Sequence, residues 1–120
     1  MITFDTQNLH AQLDAMSPAE MDSAQFGIVR MDEGFRVLHY NAWESRMSGL
    51  DKSRVLGQSF FLDVAPCMNN FMVAQRMIDE PELDATFDYV LTFRMRPTPI
   101  SLRLLQSPGS LLRYVIIRRM

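Results

Sequence analysis

The clearest pattern in the sequence is a regular alternation of apolar and polar residues over Thr86–Met95. Large apolar side chains occupy every second position there, which is the period of a β-strand with one buried face. Two more strands are predicted over Ile100–Gln106 and Leu111–Arg118. Ser107-Pro108-Gly109-Ser110 separates them, and its Pro-Gly pair favours a type II turn. The last part of the chain is therefore predicted to form three consecutive strands.

A second β region lies nearer the N-terminus. Phe26–Met31 and Phe35–Tyr40 are predicted strands. The residues between them, Asp32-Glu33-Gly34, suit a hairpin loop with the glycine in the left-handed conformation. Residues 41–80, between the two β regions, carry helical signals instead. These are N-cap residues at Asn41 and Asp51, a C-terminal glycine at Gly57 and helical apolar spacing over Phe71–Ile78.

Residues 1–25 predict helices rather than strands. Leu9, Leu13 and Met16 recur at helical spacing, and Ser17-Pro18-Ala19-Glu20 forms a capping box with proline at the first helical position. Two short helices are therefore predicted over residues 6–24. Helices this short are marginal in isolation, so we expect residues 1–25 to form a cap that packs on a core of residues 26–120.

The order of these elements predicts the fold class. Two strands, several short helices and three strands make an α+β domain with a five-stranded antiparallel sheet. This order is similar to that of the PAS sensor fold, in which the helical middle of the chain wraps one face of the sheet and encloses a pocket. The resemblance in order implies a PAS core with short flanking helices and an N-terminal helical cap.

Composition narrows the classes of function. The 120 residues fit one domain, and 12 Lys and Arg against 14 Asp and Glu give a net charge of −2, which does not favour nucleic-acid binding. The single cysteine excludes an internal disulfide and a Cys-rich zinc site. The sequence has neither an apolar run long enough to span a bilayer nor the features of a signal peptide, so we expect a cytoplasmic protein that does not bind membranes.

Two segments carry a more specific resemblance. Tyr40-Asn41-Ala42-Trp43-Glu44 and Gly57-Gln58-Ser59-Phe60-Phe61-Leu62-Asp63-Val64-Ala65-Pro66-Cys67 resemble the chromophore-site motifs of the photoactive yellow protein family, blue-light receptors of the PAS superfamily. The similarity continues through Phe87-Asp88-Tyr89 and Met95-Arg96-Pro97-Thr98 to the final strand, and it fades in the N-terminal cap.

The resemblance implies a covalent chromophore. Cys67 would carry 4-hydroxycinnamic acid through a thioester, Tyr40 and Glu44 would donate hydrogen bonds to its phenolate, and Ser48 would support the tyrosine. Leu50 stands where the best-known members have an arginine, so it can exclude water from the pocket but cannot supply charge. The residues expected to line the pocket are Phe60, Val64, Ala65, Pro66, Leu50, Met95, Phe93 and Pro97.

A buried phenolate at neutral pH requires strong hydrogen-bond donors. A phenol titrates near pH ~10, so a phenolate at neutral pH needs a pKa lowered by about 3 units, or on the order of 4 kcal/mol. Burial alone raises that pKa, and strong hydrogen-bond donors must therefore overcome it. A tyrosine hydroxyl and a protonated Glu44 can both donate to the anion, and Glu44 would keep its proton because a second negative charge beside the phenolate is unfavourable.

Each of these residues also has a structural interpretation. Cys67 alone could be a small buried apolar residue, and Asn41-x-x-Glu44 has the spacing of a capping box in which the carboxylate returns to the helix start. Trp43 could pack outside its helix or close over the chromophore. His39 and His10 are interpreted as structural or surface residues, with His39 expected on the opposite sheet face from Tyr40.

Three functions follow from these interpretations. The preferred one is a photoreceptor, monomeric or weakly dimeric, whose cap loosens in light and exposes a surface to an unknown downstream signalling protein. The alternative is a chromophore-less PAS regulatory module that binds another small ligand or a protein partner. An acyl-transfer enzyme with Cys67 as the nucleophile is disfavoured, because it needs a base such as a histidine beside the thiol.

Overall fold

The computed structural model of the chain describes residues 1–92 and 96–119, and a five-stranded antiparallel sheet forms its centre. The strands are β1 Gly27–Met31, β2 Val37–Tyr40, β3 Leu83–Leu91, β4 Thr98–Gln106 and β5 Arg113–Arg119. They lie side by side in the order β2-β1-β5-β4-β3, and every neighbouring pair is antiparallel. The predicted α+β PAS fold is confirmed.

Short helices precede and interrupt the sheet in the predicted places. They are α1 Leu9–Asp14, α2 Pro18–Met21, α3 Ala42–Ser48, α4 Lys52–Val55 and α5 Ala74–Asp79, with a π-helical turn over Phe60–Val64 and a 3₁₀ turn over Pro66–Met68. The side chains of Ser17, Asn41 and Asp51 cap helices α2, α3 and α4 as predicted. None of the helices within residues 1–92 and 96–119 has the length and hydrophobicity needed to cross a bilayer.

The hairpin between β1 and β2 differs from the prediction. Phe35, not Gly34, takes the left-handed conformation, with φ of 63°. The carboxylate of Asp32 accepts the N–H groups of Gly34 and Arg36, both at 2.9 Å, and this shapes the loop around the aspartate. The Phe35 ring packs edge-on against Phe61 with centroids 5.3 Å apart, so tertiary contacts stabilise a conformation that local sequence disfavours.

Other element boundaries also shift. Strand β3 begins at Leu83 and β4 at Thr98, both earlier than predicted, because the two strands pair continuously from Leu83 opposite Gln106 to Leu91 opposite Thr98. The turn between β4 and β5 is closed by a hydrogen bond from the Ser110 N–H to the Ser107 carbonyl. A type II turn requires a positive φ at its third residue, which here is Gly109. Gly109 does not have a positive φ, so the predicted type II turn is wrong.

The two faces of the sheet bury different parts of the chain. Successive strand residues point to opposite faces, so Ile116 packs with the N-terminal segment and Ile117 with the helical middle. The buried apolar side chains of the N-terminal segment that belong to the same cluster as Ile116 are Phe4, Leu9, Leu13, Met21 and Ala24. The sheet therefore separates an N-terminal cap on one face from a pocket on the other. The boundary drawn between residues 25 and 26 stays a prediction.

Buried polar contacts add to the apolar packing of the cap. One guanidinium nitrogen of Arg30 donates to the carbonyls of Leu13 and Met16, at 2.6 and 3.0 Å. The Tyr114 hydroxyl donates to a carboxylate oxygen of Asp14 at 2.8 Å. Because α1 has only six residues, these contacts with the sheet hold it in place rather than its own helical stability.

We expect Arg30→Gln to loosen helix α1 without unfolding the sheet. The substitution removes two hydrogen bonds from a charged donor to backbone carbonyls, and a charge-assisted bond contributes about 1.5–3 kcal/mol. Hydrogen exchange should show faster exchange of the amides over residues 9–16 than in the parent. Arg54→Gln removes the same charge from an exposed side chain and is the matched control. Unchanged exchange over residues 9–16 in Arg30→Gln would contradict this account of the cap.

Candidate functional site

A small cavity lies between the sheet and the helical middle of the chain. Its volume is about 20 Å³, enough for about one water molecule. Tyr40, Glu44, Ser48 and Cys67 are among the residues that line it. The apolar lining is formed by Leu50, Phe60, Val64, Ala65, Met68, Leu91 and Ile117. The cavity therefore brings the only cysteine of the chain to the same space as a buried tyrosine and glutamate.

The polar group of side chains comes from a strand end and the helix that follows it. Tyr40 is the last residue of β2, and Glu44 and Ser48 lie one helical turn apart on the same face of α3. The Tyr40 hydroxyl donates to Ser48 Oγ at 2.9 Å. Glu44 is only 2 % exposed, so its carboxyl group is removed from water.

Asn41 sets the position of helix α3. Its side-chain oxygen accepts the N–H of Ile28 at 2.9 Å and that of Glu44 at 3.1 Å. Its side-chain amide donates to the carbonyls of Met21 and Phe26 at 3.0 and 2.9 Å. One fully buried side chain thus joins the start of α3 to strand β1 and to the end of the cap helix α2.

Glu44 forms a bidentate ion pair that the sequence did not predict. Arg119 donates from its two terminal nitrogens to the two carboxylate oxygens, at 2.6 and 3.0 Å. The alternative in which the Glu44 carboxylate returns to the Asn41 backbone is wrong, since the Asn41 N–H donates to the Ile28 carbonyl instead. A signal for Arg119 was present in the sequence, because it lies two residues after Ile117 and therefore on the pocket face of β5.

Burial controls the proton affinities of this group. Loss of hydration raises the pKa of Glu44 above its ordinary value, while the guanidinium of Arg119 and the Tyr40 hydroxyl oppose that rise. Burial, with the nearby Glu44 charge, also raises the pKa of Tyr40, so its hydroxyl keeps its proton at neutral pH. The Tyr40 hydroxyl can therefore donate a hydrogen bond but holds its proton, and the charge of the Glu44 carboxyl group depends on its partners.

Cys67 lies on the 3₁₀ turn and is half-buried. Its backbone carbonyl accepts hydrogen bonds from the Tyr89 hydroxyl at 2.7 Å and from the Asn70 side-chain amide at 3.1 Å. The same Asn70 amide donates to the Tyr89 hydroxyl at 2.7 Å. These two residues, which were not among the predicted site residues, hold the backbone of a cysteine that lines the cavity.

The predicted pocket lining is partly found around the cavity. Leu50, Phe60, Val64 and Ala65 line it, whereas Met68, Leu91 and Ile117 line it without having been predicted. Pro66 and Pro97 are not among the described residues that line this cavity, and their place in the pocket stays a prediction. Pro66 begins the 3₁₀ turn with its ring exposed, and Pro97 is exposed just before β4. Phe93 and Met95 lie outside the described residues.

Three further side chains have structural roles away from the thiol. His39 Nε2 lies 3.0 Å from a carboxylate oxygen of Asp22 in the cap, on the other sheet face from the pocket as predicted. His10 Nε2 lies 2.9 Å from the Leu112 carbonyl oxygen. Neither histidine lines the cavity, so neither is placed to act as a base for Cys67. Trp43 packs outside α3 with the guanidinium carbon of Arg46 5.5 Å from its ring centroid.

Known proteins with similar sequences identify the family. No family model matches the chain. A photoactive yellow protein of Rhodothalassium salexigens is 31% identical over 107 residues, which cover 87% of this chain and 86% of that protein. The chain belongs to the photoactive yellow protein family. A second photoactive yellow protein, from Rhodobacter capsulatus, is 26% identical over an alignment that covers 99% of this chain and 98% of that protein.

Solved structures agree with this assignment. The photoactive yellow protein domain of the sensor histidine kinase Ppr from Rhodospirillum centenum superposes with a TM-score of 0.82 and 33% identity, covering 91% of this chain and 98% of that one. The PAS domain of an HTR-like protein from Haloarcula marismortui has a TM-score of 0.65 at 18% identity, covering 96% of this chain and 100% of that one. The second likeness concerns the fold alone.

Gly27 leaves the space that the Glu44 carboxylate occupies. A Cβ atom added at Gly27 would clash with Glu44 Oε1. We expect Gly27→Ala to displace the carboxylate from Arg119 and to lower the free energy of unfolding by about 1–3 kcal/mol, measured by chemical denaturation.

A double-mutant cycle tests the cause of that loss. Adding Gly27→Ala to a Glu44→Ala background should have a much smaller effect, because the clashing oxygen is absent. Gly34→Ala is the control, since an added Cβ there meets nothing closer than 3.5 Å. An equal loss from Gly27→Ala in both backgrounds would show that the clash with Glu44 is not its cause.

Proposed function

We propose that the protein is a blue-light photoreceptor with 4-hydroxycinnamic acid bound to Cys67 through a thioester. The observation that supports this most strongly is the shared cavity, whose lining includes the only cysteine of the sequence together with the buried Tyr40, Glu44 and Ser48. Family membership supplies the class of ligand, and the donor chemistry of these side chains suits a phenolate. The role is sensory rather than enzymatic.

The lining residues have suitable chemistry for a hydroxycinnamoyl group, but the cavity must widen to hold it. A cavity that admits benzene measures on the order of 150 Å³, whereas this one measures about 20 Å³. Met68 and Leu50 are the lining side chains best able to move, since methionine is unbranched and adaptable and Leu50 is only partly buried. We therefore expect attachment of the ligand to repack these two side chains.

Each polar residue would have a distinct task. The Cys67 thiol would lose its proton and form the carbon–sulfur bond to an activated hydroxycinnamate, whose activating group leaves. Tyr40, held by Ser48, would donate a hydrogen bond to the phenolate oxygen. Glu44 would donate a second one from its protonated carboxyl group, which its burial favours. Leu50 would exclude water without supplying charge.

The bound group would absorb blue light and isomerise at its double bond. Glu44 would then give up its carboxyl proton, and the new carboxylate would be stabilised by Arg119, a partner that the sequence did not lead us to expect. A change in charge at Glu44 would act on the start of α3, where Asn41 also binds the Met21 carbonyl at the end of α2. This is a physical connection from the pocket to the cap.

Loosening of the cap would be the output. Its two helices have six and four residues and depend on contacts with the sheet, so they have little stability of their own. Their release would expose a surface for a downstream signalling protein. The cytoplasmic location, the monomeric or weakly dimeric state and the absence of nucleic-acid and membrane binding stay predictions.

A chromophore-less PAS module that binds another small ligand or a protein partner is the second candidate. The specific observation in its favour is the small cavity volume, which has room for about one water molecule and not for a hydroxyphenyl ring. Absorption separates the two candidates, because only the first predicts a coloured protein.

We expect the protein produced with activated hydroxycinnamate to absorb blue light and to gain the mass of one hydroxycinnamoyl group. Cys67→Ala should stay colourless and unmodified, because the chain has no other thiol. Intact-protein mass spectrometry and an absorption spectrum of the same sample provide the measurement. A colourless parent protein with unmodified Cys67 would rule out the photoreceptor and favour the second candidate.

Glu44→Gln should keep the pigment but shift its absorption maximum, because an amide cannot transfer a proton and donates a weaker hydrogen bond than a carboxylic acid. Glu33→Gln makes the same chemical change at an exposed loop position and is the control. Identical spectra for Glu44→Gln and the parent would mean that Glu44 does not contact the phenolate.

A further inference from the structure

The end of strand β5 brings a positive charge into the pocket. The Arg119 side chain is 17% exposed and the Glu44 side chain is 3% exposed. Arg119 therefore has a route to solvent that Glu44 lacks, and the two ends of the ion pair are not equivalent. If the guanidinium moved outward, the carboxylate would remain in an apolar cavity.

We propose that Arg119 determines whether Glu44 holds a proton, and so selects between two arrangements of the pocket. In one, Glu44 is ionised and bound through both oxygens to Arg119. In the other, Arg119 is withdrawn and Glu44 is protonated and free to donate a hydrogen bond. The proposal rests on the proposed function for its consequence in light sensing, because only the second arrangement offers a carboxylic acid to a phenolate.

The surroundings of Glu44 leave Arg119 as the main control. Tyr40 faces the carboxyl group from β2, Arg119 faces it from β5, and Cys67 lines the same cavity from the 3₁₀ turn. Tyr40 keeps its proton because burial raises its pKa, so it offers a hydrogen bond and no charge. Arg119 is the only cation among the described residues that contacts Glu44, and a guanidinium stays charged at all working pH values.

The ionised and the protonated forms of Glu44 require different surroundings. An ionised carboxylate in this cavity needs a cation or several donors, whereas a protonated carboxyl group is neutral and tolerates burial. Arg119 supplies the cation, and it also competes with the proposed phenolate contact for the same two oxygens. Removal of Arg119 should therefore favour the protonated state that the chromophore contact requires.

Infrared titration of the protein produced without hydroxycinnamate tests the proposal. The carbonyl band of protonated Glu44, assigned by its loss in Glu44→Gln, should disappear at a higher pH in Arg119→Met than in the parent. Arg118→Met is the matched control, since Arg118 precedes Arg119 but binds Asp5 and packs over Phe4 on the cap face. In Arg118→Met, the carbonyl band of Glu44 should disappear at the same pH as in the parent.

Thermal unfolding gives a second measurement on the same proteins. A carboxyl group whose pKa is raised on folding stabilises the fold below its ordinary pKa, and that stability is lost as pH rises through the raised value. The melting temperature of Arg119→Met should therefore fall further below that of the parent as pH rises from 5 to 8, by about 5 °C for each added pKa unit. The difference for Arg118→Met should stay constant with pH.

The outcomes separate this proposal from the proposed function. Equal titration of Glu44 in the parent and in Arg119→Met would overturn the role of Arg119, whether or not Cys67 can carry a pigment. If Arg119→Met fails to fold, Arg119→Lys decides, because a lysine keeps one charge but loses the bidentate contact. Its Glu44 should titrate above the parent value, and titration at the parent value would overturn the proposal.

Discussion

The burial of one carboxyl group governs the arrangement of this pocket. Glu44 is held on a helix whose start is fixed by Asn41, against a strand that has glycine at the point of contact. Burial favours its protonated form, and a bidentate arginine favours its ionised form. Because these two effects oppose each other, a movement of Arg119 away from Glu44 would favour the neutral form of the carboxyl group. That property suits a sensor better than a rigid core.

The sheet converts such a change into a difference between its two sides. Along β5, residues that face the pocket, such as Ile117, alternate with residues that face the cap, such as Ile116. One strand therefore contacts both the helical middle and the cap. Asn41 makes a second connection, because it binds the backbone of α3 and that of the cap. The cap itself has little helical stability without the sheet. A charge change on one face can therefore alter the packing of short helices on the other.

Patterns with a short repeat were sufficient to predict the fold. Alternation located the strands, and the capping residues Ser17, Asn41 and Asp51 located the helix starts. Features that depend on distant contacts were missed. Phe35 takes the left-handed conformation and its ring packs on Phe61, although the local sequence favours that conformation at Gly34.

The site was predicted in part for the same reason. Motif similarity indicated the residues around Cys67, but it did not give the exposure of each side chain, and Pro66 is exposed on the 3₁₀ turn. Tyr89 and Asn70 support the Cys67 carbonyl through contacts that no local motif contains. Arg119 was not predicted, because the predicted last strand ended at Arg118 and the pairing of Arg119 with Glu44 depends on how β5 packs beside β1.

Light-minus-dark infrared spectroscopy of the hydroxycinnamoyl-bearing protein tests the central claim most directly. The account predicts that illumination removes the carbonyl band of a protonated carboxylic acid, and that this loss is absent in Glu44→Gln. A light-induced spectrum with no loss of a carboxylic acid band, or one with the same loss in Glu44→Gln, would contradict the account.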